Sequence, residues 1–161
     1  MFRITSEADP SFLAKMLYEA VYWDPDMTRK PFDTFLEDPV LARYVEGWGR
    51  PGDDAVVALS LDEQPAGAAW LRTFEAREPG YAFVDPNTPE LSIAVDRTYR
   101  GRGAGSLLLA GLLGRARSRR VARVSLSVAN DNPARSMYER FGFTKIGETS
   151  TTWTMLIDLS G

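Results

Sequence analysis

VDRTYRGRGAGSLLLAGLL (Val95–Leu113) sets three glycines, Gly101, Gly103 and Gly105, directly against a leucine-rich run. The residues before it, ELSIAV (90–95), read as a strand, and residues 104–119 carry the spacing of a helix. A glycine-rich turn between the two has a physical use. Glycine lets a backbone come close to a ligand, because no side chain intervenes. The first four N–H groups of a helix have no partner within it, and the helix dipole places about half a positive charge there. Such a helix start is an anion site, suited to a phosphate or pyrophosphate. Arg100 and Arg102 add positive charge. The dinucleotide fingerprint G-x-G-x-x-G is not met, since Ser106 stands three residues after Gly103, and VARVSLSV (121–128) offers no acidic partner for a ribose. The P-loop pattern also fails, because Gly105-Ser106-Leu107 lacks its lysine.

Outward from this stretch the chain alternates strand and helix signals. Phe2 and Ile4 alternate with polar residues, a short strand. Asp9-Pro10 and Asp38-Pro39 each read as an N-cap followed by proline at the first helical position. Phe12, Leu13, Met16, Leu17, Ala20 and Val21 follow the first at helical spacing. Leu41, Tyr44, Val45 and Trp48 follow the second, up to Gly47 and Gly49. Residues 55–61 and 66–74 flank a turn at 62–65 and form a hairpin. Residues 75–89 are a loop, 123–128 a strand, and Asn132-Pro133 opens a helix through Phe141. Residues 143–146 and 152–158 are closing strands. A hairpin and a strand–helix–strand crossover in one chain make an α/β domain with a mixed sheet.

Composition narrows the chemistry. The chain has 161 residues, which fits one domain over residues 1–161, and a chain of that length buries about 70% of the surface its unfolded form exposes. It contains no cysteine and no histidine. That leaves no disulfide, no thiolate nucleophile, no imidazole base and neither of the commonest transition-metal ligands, so no metal is expected. The formal net charge is −3 with both signs mixed, so no nucleic-acid partner is expected. MFRITSEADP lacks an apolar leader, and no run approaches the roughly 20 apolar residues of a membrane span. A cytoplasmic protein without a membrane partner is the expectation.

Two motifs carry a family resemblance. Arg100-Gly101-Arg102-Gly103-Ala104-Gly105 matches R/Q-x-x-G-x-G/A and resembles the acetyl-CoA signature of the GNAT N-acetyltransferase superfamily. NPARSMYERFGF (132–143) resembles the N…A…LYE+xGF helix of the same superfamily, and the order of elements from Phe2 to Leu159 fits. The resemblance implies a GNAT fold, a mixed, mostly antiparallel central sheet of about seven strands flanked by about four helices. It implies acetyl-CoA as co-substrate. The backbone of Ile93, Ala94 and Val95 would hold the pantetheine arm. The loop amides of Gly101, Arg102, Gly103, Ala104, Gly105 and Ser106, with Arg100, would hold the pyrophosphate. Asn132 would contact the arm, with Asn130 as the alternative, and Tyr138 would protonate the departing thiolate.

Chemistry sets further expectations. An ammonium of pKa near 10.4 is only about one part in a thousand free base at pH 7, so the acceptor must lose a proton before it attacks. Without cysteine, direct transfer within a ternary complex is expected. A strand N–H near Ile93 or Ala94 could hold the oxyanion. Glu90 is the candidate base, acting through water, and the alternative is a solvated strand-edge carboxylate. Ser127 occupies the place where some family members carry a glutamate, and it is no base. For Tyr138 the alternative is packing with Met137, Phe141 and Phe143. For Asn132 the alternative is N-capping alone. Tyr18, Tyr22, Trp23, Asp24, Trp48 and Phe83 are candidates for the wall of an acceptor site that takes a small-molecule or peptide amine. The rival function is a non-catalytic acyl-CoA sensor on the same fold. Either a monomer or a homodimer is consistent with the strands near residues 143–158.

Overall fold

The computed structural model describes residues 1–160. Seven strands form one sheet: β1 (Arg3–Thr5), β2 (Asp54–Leu59), β3 (Pro65–Arg72), β4 (Glu90–Val95), β5 (Arg123–Ala129), β6 (Thr144–Glu148) and β7 (Thr152–Asp158). Their order across the sheet is β1-β2-β3-β4-β5-β7-β6. Every neighbouring pair is antiparallel except β4 and β5. That parallel pair is joined by a helical crossover, α4 (Ala104–Ser118), as parallel strands require. The other helices are α1 (Pro10–Val21), α2 (Phe32–Phe35), α3 (Pro39–Ala42) and α5 (Ala134–Phe141). The mixed, mostly antiparallel seven-stranded sheet agrees with expectation. Among the described residues no helix is long and apolar enough to cross a membrane.

Local grammar starts the helices as expected. Asp9 Oδ1 accepts from the Ser11 N–H at 3.0 Å, and Asp38 Oδ1 accepts from the Val40 N–H at 2.9 Å. The second helix is shorter than its apolar spacing suggests, and α2 has no counterpart in the sequence reading. The helix ends at Ala42 because β3 captures the carbonyls that would continue it. Arg72 Nη1 donates to the carbonyls of Arg43 and Glu46, and Trp70 Nε1 donates to that of Tyr44 at 3.0 Å.

Strand alternation divides the core into two. Val56, Ala58, Ala69, Leu71 and Leu91 face α4, where Leu108, Leu109, Leu112 and Leu113 are buried, and α5 adds Tyr138 on this side. Ala55, Val57, Ala68, Trp70 and Ala94 face α1, with Leu13, Met16, Leu17, Phe35 and Tyr44. Burying each leucine stabilises the fold by about 1.5–3 kcal/mol relative to leaving it exposed. Gly67 permits a close approach of two strands. A Cβ there would lie 2.8 Å from the Ala94 carbonyl oxygen, so no other residue lets β4 lie this close to β3.

A buried ion pair fixes the segment after α3. Arg72, 1% exposed, donates to both Asp53 oxygens at 3.0 and 2.7 Å. Burial works to raise the Asp53 carboxyl, but Arg72 and the Gly49 and Arg50 N–H groups outweigh it and hold it below the usual range. Replacing Arg72 by methionine strands this carboxylate and frees two backbone carbonyls, those of Arg43 and Glu46. We expect Arg72→Met to lower stability by about 3–5 kcal/mol, read from the urea midpoint. A change under about 1 kcal/mol would show that the pair does not organise this segment.

Candidate active site

Strands β4 and β5 touch at one point and then separate. β4 forms a six-residue ladder with β3, from Gly67↔Val95 to Arg72↔Glu90, but its only registered partner on β5 is Ser125, opposite Glu90. The Ser125 N–H donates to the Pro89 carbonyl at 3.0 Å at that junction. Beyond it, β5 continues against β7 alone. The wedge between them is a cleft of about 700 Å³, lined by β4, by Leu126–Ala129 of β5, and by residues of α1 and α5.

Strand geometry decides which backbone groups face this cleft. The Asp96 N–H donates to Ala66 beside β3, while the Pro89 carbonyl points to β5. Alternate residues along a strand turn their N–H and C=O to opposite edges. Ile93 and Val95 therefore present their backbone to the cleft, and Ala94 presents its own to β3. The Val95 carbonyl already accepts from Arg100 Nε at 3.1 Å. Arg100 also reaches the Trp23 carbonyl at 3.4 Å and Glu19 at 3.6 Å, joining the end of β4 to the segment after α1. Of the three strand residues expected to offer their backbone, Ala94 is the exception.

The glycine turn lies past the end of β4. Gly101 and Gly103 have φ of +77° and +87°, a left-handed conformation that side chains rarely adopt. Open space surrounds both positions, so backbone conformation, not crowding, accounts for these glycines. Gly103 is the N-cap of α4, and no side chain caps that helix. Its first N–H groups and the positive end of its dipole are left available, with no acidic residue in the first turn. Arg100 and Gly105 line the cleft itself. Gly101, Arg102, Gly103 and Ser106 are exposed beside it, and Ala104 is buried.

Glu90 and Tyr138 both line the cleft, from opposite faces of the sheet. Glu90 is 2% exposed, which removes the solvated strand-edge alternative. Its Oε1 accepts from the Tyr44 hydroxyl at 2.6 Å and from the Ala82 N–H at 3.1 Å. Its Oε2 is buried and has no hydrogen-bond partner. Burial raises the Glu90 carboxyl above its ordinary pKa, while the Tyr44 hydroxyl and the nearby Ala82 and Gly80 amides work the other way. Tyr138 is 7% exposed and packs edge-on against Phe143. Burial alone pushes its phenol well above the usual tyrosine range. Asn132 lines the cleft, and its Oδ1 caps α5 by accepting from the Ala134 N–H at 2.9 Å. Asn130 is turned away, donating to the Ser150 carbonyl.

The expected acceptor wall is largely redistributed. Trp23 lines the cleft. Tyr18 and Tyr22 pack with Phe35, Asp24 accepts from the Asp26 N–H, Trp48 stacks on Arg72, and Phe83 packs against the α1-side core. Met27, Leu41, Tyr44 and Tyr81 line the cleft instead. Of these only Leu41 and Tyr44 carried a sequence signal, and that signal was for a helix.

The model of the acetyltransferase (GNAT) family matches residues 16–143. The chain is 30% identical over 125 residues to an L-2,4-diaminobutyric acid acetyltransferase from Streptomyces coelicolor, covering 67% of this chain and 72% of that one. Its fold resembles the PaiA N-acetyltransferase of Thermoplasma acidophilum, solved with coenzyme A (TM-score 0.71, 15% identity, 98% of this chain and 99% of that one). It also resembles YncA of Salmonella typhimurium, solved with its cofactor acetyl-CoA (TM-score 0.70, 19% identity, 100% and 95%). With its sheet parted between β4 and β5 and its glycine turn opening α4, the chain is an acyltransferase that belongs to the acetyltransferase (GNAT) family.

Proposed function

We propose that this enzyme moves an acetyl group from acetyl-CoA directly to a small primary amine, with both bound in the cleft. The observation that carries the reading is the free edge of β4. Ile93 offers an N–H and a C=O, and Val95 an N–H, to a cleft that runs toward an uncapped helix start. Buried backbone groups need partners. An extended arm bearing amides, with a pyrophosphate at one end, fits this set of donors and acceptors. The residues present therefore suit acetyl-CoA, which when bound supplies an activated thioester.

The remaining roles fall to the chain's own groups. The Ile93 N–H polarises the carbonyl to be attacked. Glu90, through a water, receives the proton that the acceptor ammonium must lose. Its raised pKa moves it toward neutrality, where a base is most effective, and it acts only above that pKa, when ionised. Tyr138 holds a proton beside the sulfur that departs. Because burial raises its pKa, the phenol stays protonated through the neutral and mildly alkaline range. Trp23, Tyr44, Tyr81 and Met27 give the acceptor end an aromatic and apolar wall beside one carboxylate, which suits a short cationic amine. The diaminobutyrate acetyltransferase relative points to the same substrate class. An amine screen that follows release of CoA thiol tests the reading. We expect turnover with L-2,4-diaminobutyrate or a short alkyl diamine. Binding of acetyl-CoA without turnover of any amine would indicate a sensor.

Two substitutions address the parts. Gly103→Ala adds backbone strain only, whereas Gly103→Glu adds strain and a negative charge at the helix start. Acetyl-CoA affinity, read by calorimetric titration, should fall further for glutamate than for alanine by at least about tenfold at low salt, with the gap narrowing as salt rises. Equal affinities for the two variants would remove the anion from this turn. Tyr138→Phe should lower kcat by about 10²–10⁴-fold while acetyl-CoA affinity holds. An unchanged kcat would reduce Tyr138 to packing.

A further inference from the structure

Glu90 is held by a segment 46 residues away in sequence. The Tyr44 hydroxyl donates to Glu90 Oε1 at 2.6 Å and accepts from the Tyr81 N–H at 2.7 Å. The Ala82 N–H adds a second bond to the same oxygen, and Ser125 Oγ on β5 donates to the Ala82 carbonyl at 2.7 Å. The two tyrosine rings stack, 6.2 Å apart and inclined by 11°. Tyr44 is itself immobilised, since its carbonyl is taken by Trp70 and those of Arg43 and Glu46 by Arg72. On the remaining side is Gly80. A Cβ there would fall 2.3 Å from Oε2 and 2.6 Å from Oε1, so the carboxylate occupies the space that any other residue would fill.

We propose that Tyr44 and Gly80 are the positioning residues of this site: Tyr44 pins Oε1, Gly80 makes room for the carboxylate, and Oε2 is left as the oxygen that takes the acceptor's proton. The proposal rests on the reading of Glu90 as the base. In the step, the ammonium gives a proton to water and that water gives one to Oε2. Glu90 becomes a neutral carboxylic acid and later returns the proton to solvent. Tyr44 does not titrate in this cycle, because burial and the facing carboxylate raise its pKa. The other groups around the carboxylate leave this assignment intact. Across β3, Arg72 is committed to Asp53 and to two carbonyls; from the loop comes the Tyr81 phenol, stacked on Tyr44; β5 contributes the uncharged Ser125.

The test compares wild type, Glu90→Gln, Tyr44→Phe and Gly80→Ala, with acetyl-CoA and L-2,4-diaminobutyrate as the probe amine. Removing the Tyr44 hydroxyl destabilises the ionised carboxylate, so the Glu90 pKa rises. The acidic limb of kcat that vanishes in Glu90→Gln should therefore sit about one to two pH units higher in Tyr44→Phe, with KM for acetyl-CoA unchanged. A tyrosine that only braces the fold would lower the rate equally at every pH. Carboxyl NMR of glutamate-labelled protein reads the same displacement without turnover. Gly80→Ala keeps both partners but displaces the carboxylate, and should lower kcat by about 10²-fold in a folded protein. A limb that persists in Glu90→Gln overturns the base reading and this proposal with it. A limb that vanishes there but stays at its wild-type pH in Tyr44→Phe, or a wild-type kcat in Gly80→Ala, overturns the proposal alone.

Discussion

The single registered pair between Glu90 and Ser125 is the hinge on which this molecule is organised. Had β4 and β5 run on together, Ile93 and Val95 would have bonded to β5 and the sheet would be continuous. Instead β4 is drawn to β3 along its whole length, helped by the missing Cβ at Gly67, while β5 is drawn to β7 from Arg123 to Ala129. Each ladder uses only the outer edge of its strand, so the inner edges are left facing each other across the seam. A buried polar group left without a partner costs about 1–3 kcal/mol, so the open seam needs water or a ligand along it.

The opening also joins two halves of the protein that the sheet otherwise keeps apart. Glu90 belongs to the α1 side, with Tyr44. Tyr138 belongs to the α4 side, with Phe143. Alternation along a strand sends neighbouring side chains to opposite faces, and a closed sheet would insulate one group from the other. Where β4 and β5 part, both line one space. In the proposed roles, Glu90 takes up a proton on one side of the cleft and Tyr138 supplies one on the other, without the two groups ever meeting.

The parts of this arrangement that were legible in the sequence are those built from neighbours in the chain. Asp9-Pro10, ELSIAV, the glycine turn and Asn132-Pro133 announce themselves through capping and periodicity, and each lies where its residues suggest. The shortened helix after Asp38 was not legible, because donors from Trp70 and Arg72, some thirty residues on, end it. Tyr44 read as one more apolar position on that helix. Its hydroxyl acquires meaning only when β4 brings Glu90 to it. Glu90 drew notice through its place at the start of a strand, yet its burial and its one idle oxygen depend on Tyr44, 46 residues away, and on how the loop before the strand folds Gly80 and Ala82 back onto it.

An unpaired strand edge is ordinarily a hazard, because it offers a template on which other chains can add and aggregate. This protein carries one free edge inside the sheet, flanked by β5, with residues of α1 and α5 lining the same cleft. At the rims it shows only the three-residue β1 and a β6 broken by a bulge between Lys145 and Gly147. A polypeptide strand seeking the inner edge would need to bring its side chains through the same gap, whereas a slender, unbranched chain would not. The same geometry that leaves β4 available thus screens what can reach it, and keeps this stretch of open backbone away from the rims where another chain could add.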